Sequence, residues 1–83
     1  MNTGLILYMR PSCPFSAKVL LEAAVLGVDL VERDIKDPEA MAELIEKGGK
    51  NQTPFLVDTG NDTMLYESDA IMTYLHERFG QNP

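Results

Sequence analysis

Leu5-Ile6-Leu7-Tyr8-Met9-Arg10-Pro11-Ser12-Cys13-Pro14-Phe15-Ser16 is the stretch on which the fold turns. Its first five residues form a short, continuously apolar run, the pattern of a strand buried on both faces. Pro14 suits the first turn of a helix, where its missing N–H is not needed, and a helix-like run follows from Ala17 to Leu26. Cys13, the only cysteine of the chain, therefore stands where a strand ends and a helix begins. A helix N-terminus presents unpaired N–H groups and the positive end of the helix dipole. Both favour thiolate over thiol, and the thiolate is the reactive form. Ser16 lies one helical turn after Cys13, where its hydroxyl can donate to that thiolate.

Outward from this junction, Val19, Ala23 and Leu26 recur at helical spacing with Leu20 beside them, and Gly27 is a natural stop. Val28 to Ile35 interleaves polar and apolar residues and predicts a second, less buried strand. Asp37-Pro38-Glu39 is a helix start: a cap, a proline at the first position and an acid in the first turn. Met41, Leu44 and Ile45 form the apolar face of that helix, and Gly48-Gly49 ends it. Phe55-Leu56-Val57 and Thr63 to Tyr66 read as strands joined through a hairpin over Asp58 to Asp62, with Gly60-Asn61 in the turn. Ser68 is expected to cap a last helix, with Asp69 in its first turn. Ile71, Tyr74, Leu75 and Phe79 should face inward, and Gly80 closes the helix.

The order β-α-β-α-β-β-α implies an α/β domain, with a right-handed crossover making the first two strands parallel. The last two strands form an antiparallel hairpin, and three helices flank a four-stranded mixed sheet on both faces. Eighty-three residues suit one small domain, residues 1–83, with one modest core.

A net charge of −6 argues against nucleic acid, whose binding rests on neutralising phosphates, and against anionic membrane surfaces. One cysteine excludes an intrachain disulfide. One cysteine and one histidine are too few soft ligands for a metal centre within the chain. Without a signal-like or membrane-length apolar segment, a reducing cytoplasm is the expected compartment.

Three segments resemble a known family. Tyr8-Met9-Arg10-Pro11-Ser12-Cys13-Pro14-Phe15-Ser16 is similar to the tyrosine, basic residue and Cys-Pro-Tyr-Cys pattern of glutaredoxins. Gln52-Thr53-Pro54-Phe55-Leu56-Val57 resembles the segment that bears the cis-proline of the thioredoxin superfamily. Tyr66-Glu67-Ser68-Asp69-Ala70-Ile71 resembles the Glu-Ser-x-Ala-Ile motif of glutathione transferase N-terminal domains. The likeness covers roughly Leu5 to Phe79 and implies a thioredoxin fold of glutaredoxin type. Serine at position 16 departs from dithiol glutaredoxins, and Cys-Pro-Phe-Ser is similar to the sites of plant-type dehydroascorbate reductases and chloride intracellular channel proteins. Monothiol glutaredoxins that carry iron–sulfur clusters have Cys-Gly-Phe-Ser, and Pro14 lowers that reading.

The resemblance implies a glutathione-dependent thiol-disulfide oxidoreductase with Cys13 as nucleophile, supported by Arg10, Pro14 and Ser16. Without a second cysteine, the resolving thiol must come from outside the chain. Arg10 would contact a glutathione carboxylate, Phe15 would pack beside the site, and Lys50 and Gln52 would reach the glycine carboxylate. Pro54 would be cis and face the nucleophile, while the backbone of Thr53 pairs with glutathione like an added strand. Ser68 and the N–H groups of its helix would take the γ-glutamyl carboxylate, with Glu67 or Asp69 on the amine. Glutathione is thus the expected co-substrate, with no permanently bound cofactor, no metal, no nucleic acid and no membrane partner. Glutathionylated or disulfide substrates are the expected partners of a monomer. Two alternatives stand beside this reading: a dehydroascorbate reductase-like enzyme, and a non-catalytic glutathione-binding or regulatory module. A cluster shared between two chains is a third. Tyr8 reads as a strand core residue, His76 as a surface or partly packed histidine, and the acidic run from Glu32 to Glu46 as a solvated face.

Overall fold

The computed structural model describes residues 4–60 and 62–80; Asn61 of the expected hairpin turn lies outside them. The elements are β1 (Leu5–Met9), α1 (Pro14–Leu26), β2 (Val31–Asp34), α2 (Pro38–Gly48), β3 (Phe55–Asp58), β4 (Thr63–Tyr66) and α3 (Ser68–Phe79). The sheet order is β2-β1-β3-β4. β1 is parallel to β2 and antiparallel to β3, and β3 is antiparallel to β4. This is the mixed, helix-flanked sheet expected from the element order, and the thioredoxin-like architecture that the resemblance implied.

The alternation of a strand sends successive side chains to opposite faces, and here both faces are covered. Leu5, Leu7, Met9 and Leu56 meet Val19 and Ala23 of α1 and Ile71 and Leu75 of α3. Tyr8, Phe55 and Val57 face the other way, onto Ile35 and Leu44. The uninterrupted apolar character of β1 follows from that double burial. Beyond the core, Asp58 at the end of β3 is buried and fastens α3. It accepts the Tyr74 hydroxyl at 2.5 Å and the Gly60 N–H at 3.0 Å, and Arg78 Nε lies 3.4 Å away. His76 of α3 contacts Glu22 of α1 through Nε2 and Oε2, so the histidine is a surface clip between two helices.

Four expectations change. The second strand starts at Val31 rather than Val28. The Val28 N–H instead bonds the Ala23 carbonyl at 2.9 Å, because Gly27 at φ 73° turns the chain back over the end of α1. Ile45 is 43% exposed; α2 buries only Ala40 and Leu44, a narrow stripe at i, i+4 spacing. Glu43 is not merely solvated, since its carboxylate takes Arg33 Nη2 at 2.8 Å and the Tyr8 hydroxyl at 2.9 Å. Tyr74 and Phe79 are half-buried, packed against the core rather than within it. The Asp37 cap is as expected, its carboxylate accepting the Glu39 N–H at 3.0 Å.

Candidate functional site

The register of the sheet assembles the site. Tyr8 pairs with Phe55, and Phe55 pairs with Tyr66. The C-terminal end of β1, the N-terminal end of β3 and the C-terminal end of β4 therefore lie along one edge. The chain leaving β1 reaches Cys13 there, the chain entering β3 passes through Thr53-Pro54, and the chain leaving β4 reaches Glu67-Ser68. Segments some forty and fifty residues apart in sequence become neighbours for this reason alone.

Cys13 occupies the N-cap position of α1, with extended backbone angles. Burial by itself would raise its thiol. Hydrogen bonds from the Ser16 N–H and hydroxyl, the Thr53 hydroxyl and the Phe15 N–H outweigh that effect and hold the thiol below its ordinary value. Helix-start geometry thus supplies donors to the sulfur, as the sequence led us to expect. Ser16 is 1% exposed, and its Oγ accepts the Arg10 N–H at 3.4 Å, which fixes the hydroxyl beside the sulfur. Arg10 is exposed and its guanidinium is not among the groups that lower the thiol. Support from this residue comes through its backbone instead.

Beside Cys13 opens a cleft of about 340 Å³, at the small end of the range for ligand sites. One wall is α1, with Phe15 and Lys18. The floor is Gln52, Thr53 and Pro54, and the far wall is Glu67, Ser68 and Asp69 at the start of α3. The Thr53-Pro54 peptide is cis, as the resemblance implied. Pro14 sits at the first position of α1. Lys50 does not line the cleft; its backbone is held by the Tyr66 hydroxyl, which donates to the Lys50 carbonyl at 2.9 Å. Tyr8 belongs to the α2 side of the sheet and contacts Glu43. Burial, reinforced by the bond to Glu43, pushes its phenol up to about 12.

The expected Ser68 cap is corrected. Ser68 is the first residue of α3, buried at the cleft, and Glu67 holds the N-cap position with φ 75° and no side-chain cap bond. A non-glycine residue at positive φ is uncommon and marks local strain. The Gln52 amide donates to the Glu67 carboxylate at 3.4 Å and braces that turn. The consequence is chemical: α3 opens on the cleft with its first N–H groups free of a side-chain cap, an arrangement suited to a carboxylate. Of the residues proposed from sequence, Phe15, Gln52, Thr53, Pro54, Glu67, Ser68 and Asp69 share one cleft. Lys18 was missed. Its signal was its position three residues after Phe15, which places both on one helical face. Among the described residues no group of three or more His, Cys, Asp or Glu could hold a metal ion, and no helix is long and apolar enough to cross a membrane.

Comparison with known proteins gives a consistent result. The sequence profile of the family described as "Glutathione S-transferase, N-terminal domain" matches residues 7–83. No curated protein matches the chain. Among solved structures, a delta-class glutathione transferase of Nilaparvata lugens is 36% identical over 94% of this chain, with a TM-score of 0.78. A glutathione transferase of Bombyx mori is 31% identical over 99% of the chain, with a TM-score of 0.79. Glutathione transferase Omega 3C of Trametes versicolor aligns over 100% of the chain with a TM-score of 0.83 at 17% identity, a likeness of fold alone. The chain spans 37%, 39% and 37% of the lengths of these three proteins.

Proposed function

Because the chain belongs to the glutathione S-transferase N-terminal domain family, we propose that its cleft binds glutathione and that Cys13 exchanges it with mixed disulfides by a monothiol mechanism. The observation that carries this reading is the lowered Cys13 thiol, joined through Phe15 and Thr53 to a cleft that ends on an uncapped helix. The γ-glutamyl carboxylate meets the N–H groups at the start of α3, with Ser68 beside them. Glu67 and Asp69 lie at hand for the amine. The backbone of Thr53 pairs with the cysteinyl part of the tripeptide as an added strand would.

In the first step the Cys13 thiolate attacks the glutathione sulfur of a mixed disulfide. A Cys13–glutathione bond forms, the substrate sulfur–sulfur bond breaks, and the substrate leaves as a thiolate that takes a proton from water. In the second step the thiolate of another glutathione attacks the sulfur held on Cys13. Glutathione disulfide departs and the Cys13 thiolate returns, so electrons balance with glutathione as the sole reductant. Ser16, Thr53 and Phe15 stabilise the thiolate as attacker and as leaving group. An exchanger of this kind draws on a reducing glutathione pool, which fits a cytoplasmic setting.

The test is incubation with glutathione disulfide followed by mass spectrometry and a turnover assay with a glutathione mixed disulfide. The expected result is a single glutathione adduct on Cys13 and turnover that vanishes in Cys13→Ser. Full exchange activity in Cys13→Ser would refute the mechanism. A second reading, favoured by the 36% identity to a delta-class transferase, makes the chain the glutathione-binding part of a transferase. It predicts glutathione binding with no adduct and no exchange.

A further inference from the structure

The cleft beside Cys13 is asymmetric in charge. Its α3 wall carries Glu67 and Asp69, and its α1 wall carries Phe15 and Lys18. Lys18 is the one cationic side chain among the described residues that line it. The ammonium of Lys50 is engaged elsewhere, 4.8 Å from the centre of the Tyr66 ring. Lys18 Nζ lies 6.0 Å from the centre of the Phe15 ring, and Phe15 is 55% exposed. An exposed aromatic surface with an ammonium at its margin thus flanks the nucleophile. In a chain of net charge −6 the overall field repels anions, so a local cation is what admits one. Lys18 is also not among the groups that lower the Cys13 thiol.

The proposed lie of glutathione, along Thr53 with its γ-glutamyl end at α3, uses two sides of the cleft and assigns no partner to its α1 wall. We propose that Phe15 and Lys18 form the co-substrate wall and select mixed disulfides whose non-glutathione half carries a carboxylate. The proposal rests on the exchange reading above and adds a substrate class to it. That half is the group released as a thiolate when Cys13 takes the glutathione sulfur; Lys18 pairs with its carboxylate and is not itself changed.

Three glutathione mixed disulfides test this, made with 3-mercaptopropionate (anionic), 2-mercaptoethanol (neutral) and cysteamine (cationic). Each is assayed as kcat/KM with the wild type, Lys18→Gln and Lys18→Arg. Comparing enzymes on the same substrate cancels intrinsic leaving-group differences. In Lys18→Gln the anionic substrate should lose about two- to fivefold, the range for an exposed ion pair. The neutral one should hold and the cationic one improve. Lys18→Arg should keep the wild-type order, and the differences should shrink in about 1 M salt, where screening acts within a few ångströms. The pH profile of the neutral substrate should not move. Equal losses on all three substrates would place Lys18 on glutathione itself and overturn the proposal, as would no change on any. If the wild type turned over none of the three, the exchange reading would fall and this proposal with it; turnover without charge selectivity removes the proposal alone.

Discussion

Replacing Ser16 with alanine removes one hydroxyl that is 1% exposed and donates to the Cys13 sulfur. A hydrogen bond to a charged partner is worth about 1.5–3 kcal/mol net. The Ser16 N–H, the Phe15 N–H and the Thr53 hydroxyl all remain, so the loss should fall near the lower limit, roughly 1.4 kcal/mol. That corresponds to about a tenfold smaller thiolate fraction wherever the thiol is mostly protonated. The thiolate that does form is more nucleophilic, because exchange rates follow basicity with a coefficient of about 0.4–0.5. The two effects combine to about threefold slower exchange at acidic pH and about threefold faster exchange at alkaline pH. The assay is stopped-flow reaction with a chromogenic aromatic disulfide across pH, and the two rate profiles should cross. A variant slower by one factor at every pH, or identical to the wild type, would refute the account of how Ser16 acts. Stability follows the same linkage. A thiol lowered by folding stabilises the fold at pH above its unfolded value, and that contribution is lost as pH falls through the folded one. Chemical denaturation should therefore show the wild type gaining on Ser16→Ala as pH rises.

Other outcomes follow from the same structure. Ser16→Cys places a second sulfur where a hydroxyl now bonds the Cys13 sulfur, and treatment with glutathione disulfide should give an intrachain disulfide in place of a stable adduct, seen as loss of both free thiols in a thiol count. Gly48→Ala would set a Cβ 2.2 Å from the Tyr66 hydroxyl and 3.1 Å from the Phe55 ring. Overpacking costs about 1–3 kcal/mol, which should outweigh the roughly 1 kcal/mol gained from helix propensity and lower the urea midpoint. Asp58→Ala strips a buried acceptor from the Tyr74 hydroxyl, the Gly60 N–H and Arg78. A loss of about 1–3 kcal/mol in denaturant titration should accompany it, with Asp58→Asn retaining part of the stability.

Much of the site was legible because its parts are local. Cys13 declares itself through the strand before it and Pro14 after it, and the bounds of β1 and β4 match the apolar runs residue for residue. Other features escaped because they depend on partners distant in sequence. Ser68 has the chemistry of a cap, yet the Gln52 amide braces Glu67 at positive φ and moves the helix start by one residue. Val28 has the character of a strand residue, yet its N–H is claimed by Ala23 once Gly27 reverses the chain. Lys18 reads as an ordinary helix-surface cation until Pro54 and Ser68 close the cleft across from it. Asp58 looks like a turn residue, and only the packing of α3 turns it into a buried anchor.

From sequence alone, hydrophobic period, helix caps and turn residues determined the order of elements, the mixed sheet and a lone thiol at a helix start. These are properties of neighbours along the chain, and short-range sterics and hydrogen bonding suffice for them. Only the tertiary structure decided which groups act on that thiol and what shape faces it. The donors to Cys13 come from Ser16 and Phe15 close by but also from Thr53, forty positions on. Thr53 arrives there only because the antiparallel register of β1 on β3, held by burial on both faces of the sheet, leaves no other edge for it to occupy.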